Sequence, residues 1–260
     1  MPANLYIVFP VLNEEENIGR LLRDLRSFGE RVAGEFSCRI IVVDDGSTDN
    51  TVSAVRREGE GLDVTLLSHG ENRGPGASFA TAFSHLRDLV GPDDWVVTME
   101  ADNTSRIETL EHMLVRRREG YEVVLASPYA YGGGFKGVSF FRVFVSHAGN
   151  SLVKLVLKIR GLTVFSSFFR LYSGSVLERL YARFGDGIVE CEGFECMVEL
   201  LYKLALVGAT ISEVEMEVDW SRREGTSKMK LLKTVRGYFR VFASRRRWAA
   251  LVGEGGRGRA

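Results

Sequence analysis

The chain has 260 residues, 45% hydrophobic and 26% charged, with 34 basic and 34 acidic side chains. This composition is ordinary for a globular chain with a sizeable core, and it favours one large domain over two equal ones. Three cysteines (Cys38, Cys191, Cys196), no C-x-x-C pair, no secretory leader and no apolar run near ~20 residues argue against a zinc site and an integral membrane protein.

Taken in chain order, "LYIVFP" is a short apolar strand closed by Pro10. "NEEENIGRLLRDLRSF" places Ile18, Leu21, Leu22, Leu25 and Phe28 at helical spacing, with Asn13 as the expected N-cap. "RIIVVDD" is a second strand, and "GSTDNTVSAVRREG" a helix stopped near Gly59. "DVTLLS" is a third strand. The Gly-rich loop "HGENRGPGA" then leads to a helix carrying Phe79, Phe83 and Leu86. "DWVVTME" is a fourth strand, followed by a helix over 107–119 and the strand "YEVVLAS". Strands alternating with helices at this spacing predict an α/β chain with a mostly parallel sheet covered on both faces.

The second half has a different rhythm. Residues 135–160 are expected to form a long amphipathic helix with Phe141, Phe144, Val145, Ala148, Leu152, Leu155, Val156 and Ile159 on one stripe. "GFECMVELLYKLALVG" is a further helix, and "TISEVEMEVDW" alternates as one strand. Charge is segregated: residues 123–177 carry six basic and no acidic side chains, and residues 226–260 carry ten basic and one acidic. Such blocks point to an anionic partner such as phosphate or a lipid surface. The apolar stripe either lies in a membrane interface or packs on the protein's own core. The expected division is a domain over 1–242 and a basic, flexible tail over 243–260.

In parallel sheets, ligands bind beyond the carboxyl ends of the strands. Asp44, Asp45, Glu100 and Asp102 all fall at such ends. Glu100 and Asp102 are two carboxylates at i, i+2, whose repulsion calls for a cation. A hard ion, Mg²⁺ or Mn²⁺, suits oxygen ligands and completes its shell with water and substrate phosphates. The spacing alone equally fits solvated loop residues. "VVDDGSTDNT" has a bland alternative as a capped turn, and "RREGTSK" as a basic loop.

Six stretches carry a resemblance: "FPVLNEEENI", "VVDDGSTDNT", "MEADNTSRIETL", "SSFFRLYSGSVLERL", "GFECMVELLYK" and "SRREGTSKMK". In this order they resemble the family 2 glycosyltransferases of the GT-A fold, the nucleotide-diphospho-sugar transferase fold, in the dolichyl-phosphate mannosyltransferase-like branch. The likeness runs from about residue 5 to about residue 240. It implies a nucleotide pocket lined by Pro10, Asn13 and Glu14, with Asp44 and Asp45 holding base and ribose. Glu100 and Asp102 match the D-x-D motif that binds metal and donor diphosphate. Arg222, Gly225, Ser227 and Lys228 match an R-x-x-G-x-S-K loop that closes over the diphosphate. Asp102, Arg222 and Lys228 are thereby the expected catalytic groups.

The resemblance further implies an inverting transferase, assisted by Mg²⁺ or Mn²⁺. It would move a sugar from GDP-mannose or a UDP-hexose to a polyprenyl phosphate of the dolichyl type, from the cytoplasm or the cytoplasmic face of a membrane. Arg142 and Arg170 are the candidate acceptor-phosphate contacts. The chain departs from the pattern at Glu100 (usually Asp), Thr104 (often Gln), Pro128 (Arg) and Phe168 (Gly). An ionised acceptor phosphate needs no strong general base, whereas a hydroxyl acceptor would need a carboxylate such as Asp102. A transferase acting on a glycan hydroxyl and a non-catalytic nucleotide-sugar binding protein are the alternatives.

Overall fold

The computed structural model describes residues 2–138, 140–222, 224 and 231–254. β1 (Ala3–Val11), β2 (Phe36–Asp44), β3 (Val64–Ser68) and β4 (Trp95–Thr98) are parallel neighbours, joined through α1 (Glu15–Val32), α2 (Thr51–Glu58) and α3 (Pro75–Leu86). After α4 (Glu108–Arg117) come β5 (Val123–Ser127), β6 (Gly134–Lys136) and α5 (Phe140–Leu157). β7 (Arg170–Ser173), α6 (Gly174–Phe184), α7 (Cys196–Leu206), β8 (Ile211–Glu215), β9 (Glu217–Asp219) and α8 (Leu231–Glu254) complete the fold. The seven-stranded sheet runs β3-β2-β1-β4-β7-β5-β8, and β6 pairs with β9 in a separate ribbon.

Strand alternation distributes the core to two faces. Tyr6, Val8, Val96, Val123 and Leu125 join the cluster with Phe79 of α3, Leu177 of α6 and Leu201 of α7. Ile7, Phe9, Val97, Val124 and Ala126 join the opposite cluster with Leu22 of α1 and Leu110 of α4. Both faces of each strand are apolar, as a covered sheet requires.

β7 is antiparallel to both β4 and β5, so the sheet is mostly parallel, as expected, with one inserted strand. Two expectations are corrected here. "TISEVEMEVDW" is not one strand: it breaks at Met216 into β8 on the large sheet and β9 on the ribbon. The segment after residue 242 continues α8 to Glu254, and its Trp248 is 1% exposed. A fully buried indole is worth several kcal/mol, so this stretch is docked and not a free tail; 255–260 lie outside the described residues.

α5 ends at Leu157, where Lys158 turns into the left-handed region at φ +56°. On its last turns Val153 and Leu157 are buried, while Leu152 and Leu155 are 44% and 76% exposed. The expected apolar stripe is therefore divided between the core and the surface. The side chains of its first turns lie outside the described residues.

Candidate active site

The register sets Val11 beside Asp44, and Val8 beside Thr98. The loops leaving β1, β2 and β4 therefore start side by side, on adjacent parallel strands. Pro10 and Asp44 sit at the ends of β1 and β2, Asn13 and Glu14 follow β1, Asp45 follows β2, and Glu100 and Asp102 follow β4. The structure thus brings all seven to one edge of the sheet.

The first two loops are stapled together. Asn13, at φ +51°, is not the N-cap; residue 14 precedes the first helical residue. The Asn13 amide donates to Ser47 Oγ at 2.9 Å, and Asn13 Oδ1 accepts from the Thr48 amide at 2.8 Å. The Glu14 amide donates to Thr51 Oγ1 at 2.8 Å. Asp44 accepts from the Ser47 amide at 3.1 Å.

Asp45 is 3% exposed and is engaged by its own chain. Its carboxylate accepts from the amides of Arg73 (2.9 Å) and Gly74 (2.8 Å), and pairs with His69 Nδ1 at 2.9 Å. A carboxylate only accepts, so His69 Nδ1 carries the proton. In the neutral ring Nε2 then accepts from Thr81 Oγ1 at 2.9 Å. This chain organises the Gly-rich loop before α3. That loop needs its glycines: a Cβ on Gly76 would stand 1.9 Å from the Cys191 carbonyl oxygen. His69 escaped the sequence reading, because a lone histidine after a strand carries no motif.

The acidic pair differs within itself. Asp102 Oδ1 accepts from the Thr104 hydroxyl (2.7 Å) and amide (3.1 Å), so Thr104 orients that carboxylate. Glu100 Oε1 accepts one long bond, 3.4 Å, from the Phe168 amide. Glu100 Oε2 is shut off from solvent and has no hydrogen-bond partner among the described residues. Burial, and then the charge of Asp102, push the Glu100 carboxyl up to about 7. A sheltered acceptor with no donor is costly and is what a bound cation would relieve. Among the described residues no three His, Cys, Asp or Glu gather as a metal cage. The fit is therefore to an ion that takes one or two protein carboxylates.

Arg170 is corrected. It is 0% exposed, and its guanidinium donates to the carbonyl oxygens of Ser167 (2.7 Å), Met197 (2.8 Å) and Phe165 (2.7 Å). Those bonds commit its guanidinium to the chain's own carbonyls, and it pins the turn that presents Phe168 to Glu100. Phe168 itself stacks on Phe194 with centroids 5.5 Å apart and meets Phe79 edge-to-face with centroids 5.2 Å apart. Arg222 ends a short 3-10 turn, Trp220–Arg222, directly after β9. Arg142 lies in α5, and its side chain is outside the described residues, as are Gly225, Ser227 and Lys228 altogether. A groove of about 600 Å³ runs along α3 past Arg73, Thr81 and His85 to Glu190 and Glu192, and none of the predicted site residues lines it.

A family model described as glycosyl transferase family 2 matches residues 6–181. Glucosyl-3-phosphoglycerate synthase from Mycobacterium tuberculosis, solved with Mn²⁺ and UDP-glucose, is 20% identical with a TM-score of 0.64, over 94% of this chain and 79% of that one. The same enzyme with phosphoglyceric acid gives 17% identity and a TM-score of 0.62, over 95% and 80%. A structure described as a mycobacterial protein is 16% identical with a TM-score of 0.64, over 94% and 74%. Identities this low speak for the fold alone, but the family model covers well over half of the chain. The chain belongs to glycosyl transferase family 2.

Proposed function

We propose that the chain moves a sugar from a nucleoside diphosphate sugar, with inversion, to a phosphate oxygen of a lipid acceptor, with Mg²⁺ or Mn²⁺ held at Glu100 and Asp102. The observation that carries the donor half is the sheltered, donorless Glu100 Oε2 beside an oriented Asp102, at the carboxyl end of a parallel strand. When bound, the cation would offset charge on the diphosphate leaving group. The stapled loops after β1 and β2 give the nucleotide a rigid floor, with Asn13, Glu14 and Asp44 along it. Arg222 supplies a guanidinium whose planar fork suits phosphate oxygens. Lys228, from the resemblance, would add an ammonium. Loss of one such group typically costs ~3 kcal/mol of barrier.

The lipid half rests on α5. Exposed Leu152 and Leu155 stand among exposed Lys154, Lys158 and Arg160, a composition suited to an anionic lipid interface. No described helix is long and apolar enough to cross a membrane. A second reading takes a small, soluble phosphorylated acceptor, because the phosphoglycerate complexes share this fold. Arg170 no longer supports either acceptor.

The test offers a panel of nucleotide sugars with Mn²⁺ to the full chain, with polyprenyl phosphate in vesicles or phosphoglycerate in solution as acceptor. Transfer to the lipid phosphate supports the proposal, and transfer only to the soluble acid selects the second reading. Donor binding without turnover on any acceptor would make the chain a nucleotide-sugar binding protein.

A further inference from the structure

The acidic turn and the stretch that carries Arg222 are fastened to one another at several points, and one residue, Asn17, connects them through its side chain and its backbone carbonyl. The Asp219 amide donates to the Thr104 carbonyl at 2.9 Å, and Ser105 forms a β-bridge with Val218. Arg106 pairs with Glu217 at 3.0 Å. Just past Arg222, the backbone of Glu224 meets Asn17 of α1. Asn17 Oδ1 accepts from the Glu224 amide at 3.2 Å, and Asn17 Nδ2 donates to the Glu224 carbonyl at 3.1 Å. The second Nδ2 hydrogen goes to Glu14 Oε2 at 2.7 Å. The backbone carbonyl oxygen of Asn17 accepts from Asn103 Nδ2 at 2.9 Å.

Asn17 thus pairs with residue 224 as one peptide group pairs with another in a ladder, although 207 residues separate them. It is 3% exposed, in the helix turn facing the site. Asn103 stands between Asp102 and Thr104 at φ +60°, 6% exposed. Asparagine tolerates that left-handed conformation because its short amide bonds locally; here the amide reaches Asn17. A buried primary amide that uses both hydrogens and its oxygen would be costly to satisfy by chance. The amide's partners are the donor-side Glu14 and the chain just beyond Arg222, while the backbone carbonyl of Asn17 holds the acidic turn through Asn103.

We infer that Asn17 is a positioning residue: with Asn103 it sets the chain carrying Arg222 at a fixed place against the Glu100/Asp102 turn. The inference rests on the proposed transferase reading, in which Arg222 and the two carboxylates act on the same diphosphate. Asn17 touches neither donor nor acceptor in this role. It acts through backbone geometry, where a displacement of about 1 Å lowers turnover on the order of 10²-fold. Only a side chain with one acceptor and two donors on a planar amide serves all its partners, so aspartate, of the same shape, does not replace it.

The test uses the full chain with Asn17→Ala, Asn17→Asp and Asn103→Gly. The last keeps the left-handed backbone at no steric cost and removes only the bond to Asn17. Hydrogen exchange at the Glu224 amide, measured without donor, should rise in Asn17→Ala. Steady-state transfer should lose kcat on the order of 10²-fold in both Asn17 variants, with KM for the donor nearly unchanged, and Asn103→Gly should fall between them and the wild type. Unaltered exchange at Glu224 overturns the inference. So does a wild-type kcat per folded molecule alongside a lowered Tm, since that is the signature of a purely structural asparagine. If Asn17→Ala does not fold, Asn17→Asp and Asn103→Gly decide by kcat against Tm, since both keep an oxygen on the residue 17 side chain that accepts from the Glu224 amide; a wild-type kcat in both overturns the inference. A wild type that transfers from no donor overturns the transferase reading instead, and the exchange result tells the two failures apart.

Discussion

Glu100 and Arg170 show how much a residue's surroundings decide about its role. Both are strand-end charges in the sequence, one read as a metal ligand and one as an acceptor contact. Burial treats them in opposite ways: Arg170 finds three carbonyl oxygens, whereas Glu100 Oε2 finds none among the described residues. Arg170→Lys should therefore cost ~2–3 kcal/mol in urea unfolding, because one ammonium cannot reach three carbonyls spread about a guanidinium plane. An acceptor-binding arginine would lose activity without losing stability.

Glu100 has a pH signature in metal-free protein. Its folded pKa, about 7, lies above its ordinary 4.5. The protonated form fits the fold, so stability is full below the ordinary value and falls as pH rises towards 7. Glu100→Gln removes that dependence. Its metal-free Tm should equal the wild type's near pH 4 and exceed it by pH 8; equal Tm values throughout would contradict the sheltered carboxylate. Asp45 shows what a motif leaves out. The aspartate was visible in the sequence, but its partners His69, Arg73 and Gly74 are set by the folded loop, and they make it an anchor of that loop.

Among the elements, β1 to β5 were legible because each is a short, mostly apolar run between turn signals. β7 was not: it has four residues, begins with a charged arginine, and enters the sheet antiparallel between β4 and β5. α8 was misread past residue 242, because three consecutive arginines, Arg245–Arg247, look like a solvated tail. Val241 and Trp248, seven residues apart on one helical face, were the available signal, and both are buried. Glu190 holds that helix: it accepts from Trp248 Nε1 at 3.0 Å and also pairs with Arg247 and with Lys203. Lys203 in turn is fully buried beside Glu199 at 2.5 Å.

Trp248→Ala should cost about 3–5 kcal/mol of stability, read from the unfolding midpoint; a cost below 1 kcal/mol would restore the free tail. Burial works against the Glu190 charge, but Lys203, Arg247 and Trp248 outweigh it and hold the carboxyl below its ordinary range. A depressed carboxyl contributes stability above its ordinary pKa and loses it as pH falls through the folded value. Acidification below about pH 4 should thus weaken α8 docking, and Glu190→Gln should flatten that limb of the pH–Tm curve.

For the whole molecule, the sheet collects the ends of three parallel strands on one edge, and this edge is where the chain's acidity has a use. The cationic side, with Leu152 and Leu155 among Lys154, Lys158 and Arg160, lies on the end of α5 and the turn that follows it. Each lysine near anionic lipid contributes at most ~1 kcal/mol, so Lys154→Gln with Lys158→Gln should weaken flotation with anionic vesicles up to about thirtyfold. Wild-type protein that stays unbound at every lipid composition contradicts a membrane role and leaves the soluble acceptor.

The central claim is that Glu100 and Asp102 form a metal–diphosphate site. Thermal shift of the wild type and of Glu100→Gln, with a panel of nucleoside diphosphates and their sugars, with Mn²⁺ or with EDTA, tests it most directly. A shift selective for one nucleotide, present with Mn²⁺ and lost in EDTA and in Glu100→Gln, is the predicted result. A nucleotide shift that is indifferent to both the metal and the substitution would contradict it.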